Sequence, residues 1–226
     1  MKNPFRALTR TELIIWISSL IVVTLSFVFS PDREILNLCA SLIGVTALIF
    51  VAKGYVFGQI LVVVFSLFYG YISLKFHYYG EVITYLGMSA PMAIAAVVSW
   101  IRHPYKNTDE VKVSRMKKWQ IALMIGFTVA VTVAFYFILG ALGTTNLLFS
   151  TLSVATSFLA AFLTYMRSPY YGLAYGANDV VLIVLWVLAA IEDISYLPMI
   201  FCFVMFLVND IYGFCNWRRM RKRQES

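Results

Sequence analysis

Charge is what this 226-residue chain has least of. Asp, Glu, Lys and Arg make up 13% of it, against roughly a quarter in a soluble domain. A soluble fold would have nowhere to hide the remaining apolar surface. Cysteine and histidine are also scarce, at three and two residues. Cys39, Cys202 and Cys215 fall inside apolar runs, without disulfide or metal-ligand spacing, and His77 and His103 are expected at opposite membrane ends, where they cannot share a metal. There is no H-E-x-x-H and no Ser–His or Ser–Lys pairing, so a membrane-embedded enzyme has no catalytic constellation here. No cofactor is expected. Strict alternation of apolar and polar residues is missing too, which excludes a membrane barrel. The first apolar run is followed by "FSPDREILN", which has no small-x-small cleavage site, so it reads as a retained span rather than a signal peptide.

What is present is apolar length. The chain is 61% hydrophobic, with a mean hydropathy of +0.81. Its apolar residues fall into eight runs of about membrane-spanning length: 13–30, 35–52, 55–74, 82–101, 119–141, 143–166, 169–191 and 196–217. The expected fold is an all-α polytopic membrane protein with eight transmembrane helices.

Eight spans put both termini on one side. That side collects sixteen of the 18 Lys and Arg residues: Lys2, Arg6, Arg10, Lys53, Arg167, six in the 102–118 loop and five in the tail 218–226. Arg33 and Lys75 are left for the other side. The bias predicts cytoplasmic termini and basic edges that touch anionic lipid head groups. Because the basic residues lie on those edges and not on one folded face, the net charge of +7 does not point to nucleic acid.

The polar stretch 102–118 divides the chain. Residues 35–101 and 143–217 each hold three spans, 119–141 bridges them, and 13–30 stands outside as a peripheral N-terminal helix. An offset of 118 aligns Gly54 with Gly172, Gly58 with Gly176, and Phe68 with Trp186; Trp100 and Trp217 end the halves 117 apart. Three spans invert a repeat and the bridging span restores it, so the halves are expected to be parallel repeats with the substrate between them near mid-bilayer. The four glycines read as close-packing positions. Trp16, Trp119 and Trp217, near span ends, read as interfacial belt residues, and Pro91 and Pro198 mark positions for kinks.

Buried polar groups in membrane helices cost free energy and usually face a cavity or the bundle interior. Asp179 lies near the middle of the seventh run and Asp210 past the middle of the eighth. Each follows an asparagine, Asn178 and Asn209. Asn209, Tyr212 and Asn216 form an i, i+3, i+7 stripe, expected to face the cavity. Gln59 and Ser66 are seven apart in the third run, and Trp186 lies two turns from Asp179. The candidate ligand residues are therefore Gln59, Asn178, Asp179, Trp186, Asn209, Asp210 and Tyr212. For Ser66 and Asn216, helix–helix hydrogen bonding is an equal reading. Amides suit vicinal hydroxyls, aromatic faces suit a ring or a cation, and carboxylates favour positive charge. No Lys or Arg lies near mid-membrane, so a phosphate would find no partner. The implied solute is neutral or cationic, unphosphorylated and ring-bearing.

The segments "FYGYISLKFHYYGEVITYLGMSAPMAIAAVVSW" (68–100), "ANDVVLIVLW" (177–186) and "VNDIYGFCNWRRM" (208–220) resemble the PnuC family of bacterial nicotinamide riboside carriers. The resemblance covers about 35–223. A W-x-x-W pair frequent in that family is reduced here to Trp186, with Ile183 three residues before it. The resemblance implies a SWEET-like arrangement of parallel repeats, import across the inner membrane by facilitated diffusion, and trapping by a cytoplasmic nicotinamide riboside kinase. Nicotinamide riboside, a cationic pyridinium on an unphosphorylated ribose, agrees with the pocket read from the residues. The expected partners are that nucleoside and bilayer lipid, with a homo-oligomer, a trimer being one form. Another vitamin or nucleoside, such as thiamine, fits the same polar residues, and a purely structural membrane subunit would leave the buried acids without purpose.

Overall fold

The computed structural model describes residues 4–29, 35–75, 77, 79–106 and 108–226. Lys2, Arg33 and the loop 31–34 lie outside the described residues. Eight helices among the described residues are long and apolar enough to cross a bilayer. They are α1 (Arg10–Val28), α2 (Ile35–Ala52), α3 (Val56–Lys75), α4 (Tyr79–Ile101), α5 (Lys118–Ala141), α6 (Leu147–Tyr165), α7 (Tyr171–Glu192) and α8 (Leu197–Glu225). They correspond one for one to the eight apolar runs. The largest difference is at α8, where the basic tail continues the helix to Glu225.

Local chemistry sets several ends. Thr9 and Glu12 form a reciprocal cap at the start of α1: the Thr9 amide donates to Glu12 Oε2 at 2.7 Å, and the Glu12 amide donates to Thr9 Oγ1 at 3.3 Å, satisfying two amides that a helix start leaves open. Gly54, at φ +76°, makes the turn from α2 into α3, a left-handed conformation that glycine adopts at little cost. Within α4, residues Ile83–Ser89 widen into a π-helical segment, with the Ala90 amide donating to Tyr85 O, five residues back. Pro91 has no amide hydrogen to give the ordinary ladder, so the expected disturbance at Pro91 takes this form. The widened turn presses Leu86 into the space where Gly70 of α3 has no side chain.

The packing pairs have an internal symmetry. Within each half, α2 packs on α3 and α3 on α4, as α6 packs on α7 and α7 on α8. Between halves, α2 packs on α8 and α4 on α6. The set is unchanged when α2, α3 and α4 are exchanged with α6, α7 and α8. Hydrogen bonds follow the same exchange. Trp100 Nε1 of α4 donates to Thr164 O of α6, and Trp217 Nε1 of α8 donates to Val51 O of α2, each at 2.9 Å. One residue earlier, Ser99 Oγ donates to Tyr165 O and Asn216 Nδ2 to Ala52 O.

These bonds lie at the basic end of the bundle, where the loop between α4 and α5 crosses both halves. The Val111 amide donates to Gly54 O, and the Ser114 amide to Arg167 O. The end of α8 is tied to the loop by Arg115–Glu225 and Arg223–Glu110 ion pairs and by Gln224, which accepts from the Val113 amide. Burial pulls the Arg167 guanidinium below its usual pKa.

One expectation is corrected here. Trp217 is not a belt residue: it and Trp100 are fully buried, with ring centroids 5.3 Å apart. The end of a span is not its surface when opposite halves meet there. Trp119, by contrast, is exposed. Helix α1 has one exposed side and is bound to the bundle by polar contacts. Lys53 Nζ pairs with the buried Glu12 carboxylate at 2.9 Å, and Trp16 Nε1 donates to Thr46 Oγ1 of α2.

Candidate functional site: a cavity between the halves

A cavity of about 710 Å³ lies between the halves, within the range of roughly 300–1,000 Å³ common for small-ligand sites. At the end away from the basic residues it is lined by His77, Tyr79, Asn146, Glu192 and Tyr196. It runs inward past Tyr69, Tyr85 and Trp186 to Gln59, Thr164, Tyr175 and Asp210. Beyond them, Trp100, Trp217 and Tyr171 pack with Val51, Ala160 and Leu163 into a buried apolar cluster. The cavity is therefore sealed at the basic end.

Five of the seven expected ligand residues line it: Gln59, Asn178, Asp179, Trp186 and Asp210. Gln59 is buried and lines the cavity. Asn178 is oriented from α6: Thr156 Oγ1 and Ser157 Oγ donate to its Oδ1 at 2.9 and 3.0 Å. With the oxygen occupied, the Nδ2 hydrogens are what the side chain can offer a ligand. Asp179 of α7 and Asp210 of α8 are both buried, and Asp179 Oδ2 has no hydrogen-bond partner among the described residues. Trp186 lies nearly parallel to Phe203, at 14° and 6.5 Å, and is tilted against Tyr196 at 5.6 Å.

Asn209 and Tyr212 are elsewhere. Asn209 Nδ2 donates to Ser19 Oγ of α1 at 3.0 Å and to Met205 O at 2.7 Å. Tyr212 Oη donates to Glu12 Oε1 at 3.2 Å. The third member of the stripe, Asn216, holds Ala52 O at 2.9 Å. The stripe expected to face the cavity faces α1 and α2 instead. Its helical spacing is as expected, but two neighbours compete for that face of α8, and the buried Glu12 and Ser19 of α1 supply the polar partners that hydrocarbon denies it.

Several residues in or behind the cavity wall have no strong signal in the sequence. Tyr69 and Tyr85, centroids 4.6 Å apart, make an aromatic wall with Phe65, and Tyr85 sits in the π-helical segment of α4. Thr156 and Ser157 look like ordinary helix residues, and only their pairing with Asn178 gives them a role. Gly172 was grouped with Gly176, yet a Cβ at Gly172 would lie 2.6 Å from Asp210 O and 2.8 Å from Phe214 N, whereas at Gly176 it would meet Leu207 at an ordinary 3.4 Å. Gly172 is what brings α7 against the backbone of Asp210.

The cavity offers amides, hydroxyls, aromatic faces and four carboxyls, those of Glu81, Asp179, Glu192 and Asp210. No Lys or Arg is among its lining residues, and among the described residues no cluster of His, Cys, Asp and Glu could hold a metal.

Comparison with known proteins gives a consistent picture. The sequence model of a family described as Nicotinamide mononucleotide transporter matches residues 34–219. A nicotinamide riboside transporter PnuC from Neisseria mucosa is 29% identical over 209 residues, covering 88% of this chain and 78% of that protein. One from Haemophilus influenzae is 22% identical over 217 residues, covering 93% and 91%. The crystal structure of a vitamin B3 transporter PnuC matches with a TM-score of 0.80 at 26% identity, over 96% of this chain and 94% of that one.

Proposed function

The chain belongs to the nicotinamide mononucleotide transporter family, and on that footing we propose that it carries nicotinamide riboside and not the mononucleotide. The carrying observation is that, among the described residues, the cavity is lined by four carboxyls and by no Lys or Arg. A phosphate buried there would lose its hydration with no cation or arginine fork to replace it. A pyridinium gains aromatic faces at Trp186, Tyr69 and Tyr85, and a ribose gains the amides of Gln59 and Asn178. The riboside transporters from Neisseria mucosa and Haemophilus influenzae support the same substrate.

Gln59 comes from the first half and Asn178, Asp179, Trp186 and Asp210 from the second, so ligand bridges two parallel repeats. The leading helix and the bridging helix 119–141 lie outside the repeats. Transport is facilitated diffusion through alternating exposure of this cavity, with trapping by a cytoplasmic kinase. The protein resides in the bacterial inner membrane with both termini cytoplasmic, and assembles as a homo-oligomer such as a trimer. The concentration of Lys and Arg at one end supports the orientation.

Titration of the purified protein tests the substrate. Nicotinamide riboside should bind, while its mononucleotide and thiamine should not. Equal affinity for riboside and mononucleotide would overturn the reading. In liposomes at equal pH and no potential, uptake should stop at equal concentrations, and accumulation beyond that would exclude facilitated diffusion.

A further inference from the structure

One short segment of the loop between α4 and α5, residues 110–115, holds on to both halves at the sealed end. On the first-half side the bonds run backbone to backbone. The Val111 amide donates to Gly54 O in the turn from α2 to α3 at 2.9 Å, the Lys112 amide donates to His103 O just past α4 at 2.8 Å, and Glu110 O accepts from the Tyr105 amide at 2.8 Å. On the second-half side most of the bonds are made by side chains. The Ser114 amide donates to Arg167 O in the turn from α6 to α7 at 3.0 Å. Gln224, at the end of α8, accepts from the Val113 amide at 2.8 Å and donates to Glu110 Oε1 at 2.8 Å and to Val111 O at 3.1 Å. Arg115 grips Glu225 with two hydrogen bonds of 2.8 Å, and Arg223 pairs with Glu110. The side chains of Arg115 and Arg223 are 75% and 60% exposed, so water can take over these ion pairs at little cost. Val111 is 1% exposed, and breaking its amide from Gly54 would strand a buried donor.

The halves cannot part at the basic end while both sets of bonds hold. The segment lies over the seam that closes the cavity, where Trp100 holds Thr164 O, Trp217 holds Val51 O, and Arg167 Nη1 of the second half donates to Ser99 Oγ of α4 at 3.0 Å. We infer that residues 110–115 are a latch on this seam, and that the seam opens by letting go of the end of α8 while the segment stays with the first half. The exposed side-chain set gives way because its groups are rehydrated on release, whereas the buried backbone set is not. Gln224, Arg223 and Glu225 are therefore positioning residues for transport, and none of them lines the cavity. A latch that touches no ligand changes how often the seam opens. It does not change the concentrations at which movement stops, so it fits a carrier that works by facilitated diffusion.

This inference rests on the alternating exposure of the cavity proposed above, and one labelling experiment separates the two. Cys39, Cys202 and Cys215 are replaced by Ala, and Leu163→Cys places a thiol in the sealed cluster, with Ala160→Cys as a second reporter. N-ethylmaleimide is added to the purified full-length protein in lipid nanodiscs. In this background the thiol should react slowly, as the seam opens. Gln224→Ala and Arg223→Glu should each raise the rate about tenfold, the factor expected when the closed state alone loses one or two hydrogen bonds. Adding Glu110→Arg to Arg223→Glu remakes the ion pair in reverse and should bring the rate back down. A merely structural role predicts the opposite, with a lower melting temperature and labelling still fast. Should neither substitution give folded protein, about 1 M salt decides in the reporter background, because it screens exposed pairs: faster labelling is expected, and an unchanged rate overturns the latch. A labelling rate that Gln224→Ala and Arg223→Glu leave unchanged, or fast labelling retained in the reversed pair, overturns the latch alone. Absence of labelling at both reporters in every variant overturns alternating exposure and the latch together.

Discussion

Gln59 and Asn178 face the same cavity from different halves, but only Asn178 is oriented in advance. Its oxygen is held by Thr156 and Ser157, so its amide hydrogens point to the ligand at little further entropic cost. Losing a hydrogen bond to a neutral partner costs about 1–3 kcal/mol when the other group is stranded, a roughly 5- to 150-fold loss of affinity. Asn178→Ala and Gln59→Ala should each fall in that range by titration with nicotinamide riboside, and parent-like binding by both would displace the site from between the halves. Trp186→Ala should weaken binding to a similar degree, whereas Trp119→Ala, exposed on α5, should not. Asn209→Ala should lower the melting temperature and leave affinity intact, because its amide holds Ser19 of α1. The sequence marks all of these residues as unusual in a membrane span. What it does not carry is direction: the same helical spacing sends Asp210 into the cavity and Asn209 against α1, one residue apart.

Two helix contacts carry predictions of their own. At Gly172 the helices α7 and α8 meet backbone to backbone, and a methyl group there would need the chain around Asp210 to move. Overpacking of this kind costs typically about 1–3 kcal/mol. Gly172→Ala should therefore lower thermal stability and disturb ligand binding, while Gly176→Ala should be tolerated; equal effects would contradict the helix geometry. At α1, Lys53→Ala would strand a buried Glu12 carboxylate, at a cost of a few kcal/mol, so it should lower the melting temperature more than Lys53→Arg does. The helices themselves were legible because hydrophobic length is a strong signal. The π-helical segment of α4 was not, since residues 83–89 keep an apolar composition, and only Pro91 hints at it. The role of α1 was half legible. The T-x-x-E cap at Thr9–Glu12 can be read from the sequence, but the same glutamate's pairing with Lys53 and Tyr212 needs three helices brought together.

The whole molecule is polar in two senses, with its basic residues at one end and its cavity lined out to the other. Cysteine labelling in intact cells should reach introduced cysteines at 192–195 from outside and those at 108–115 only after permeabilisation; outside access to 108–115 would invert the topology. The repeat was visible as an offset of 117 between Trp100 and Trp217. The carbonyls they hold, Thr164 and Val51, are 113 apart. The turn between α6 and α7 is longer than that between α2 and α3, so no single offset aligns the two halves, and the identity between them looks weaker than the packing symmetry that joins them.

The two tryptophans at the sealed end also form an optical device. Their rings are 5.3 Å apart and 49° from parallel, in a buried apolar cluster. Indole transitions that close and that skewed couple to each other and give a paired band of opposite signs in near-ultraviolet circular dichroism. Each ring belongs to a different half, so the band exists only while the halves touch there. A separation of the halves at the basic end would part the rings and erase the band, so its amplitude reads, with no dye attached, whether the two halves are in contact there.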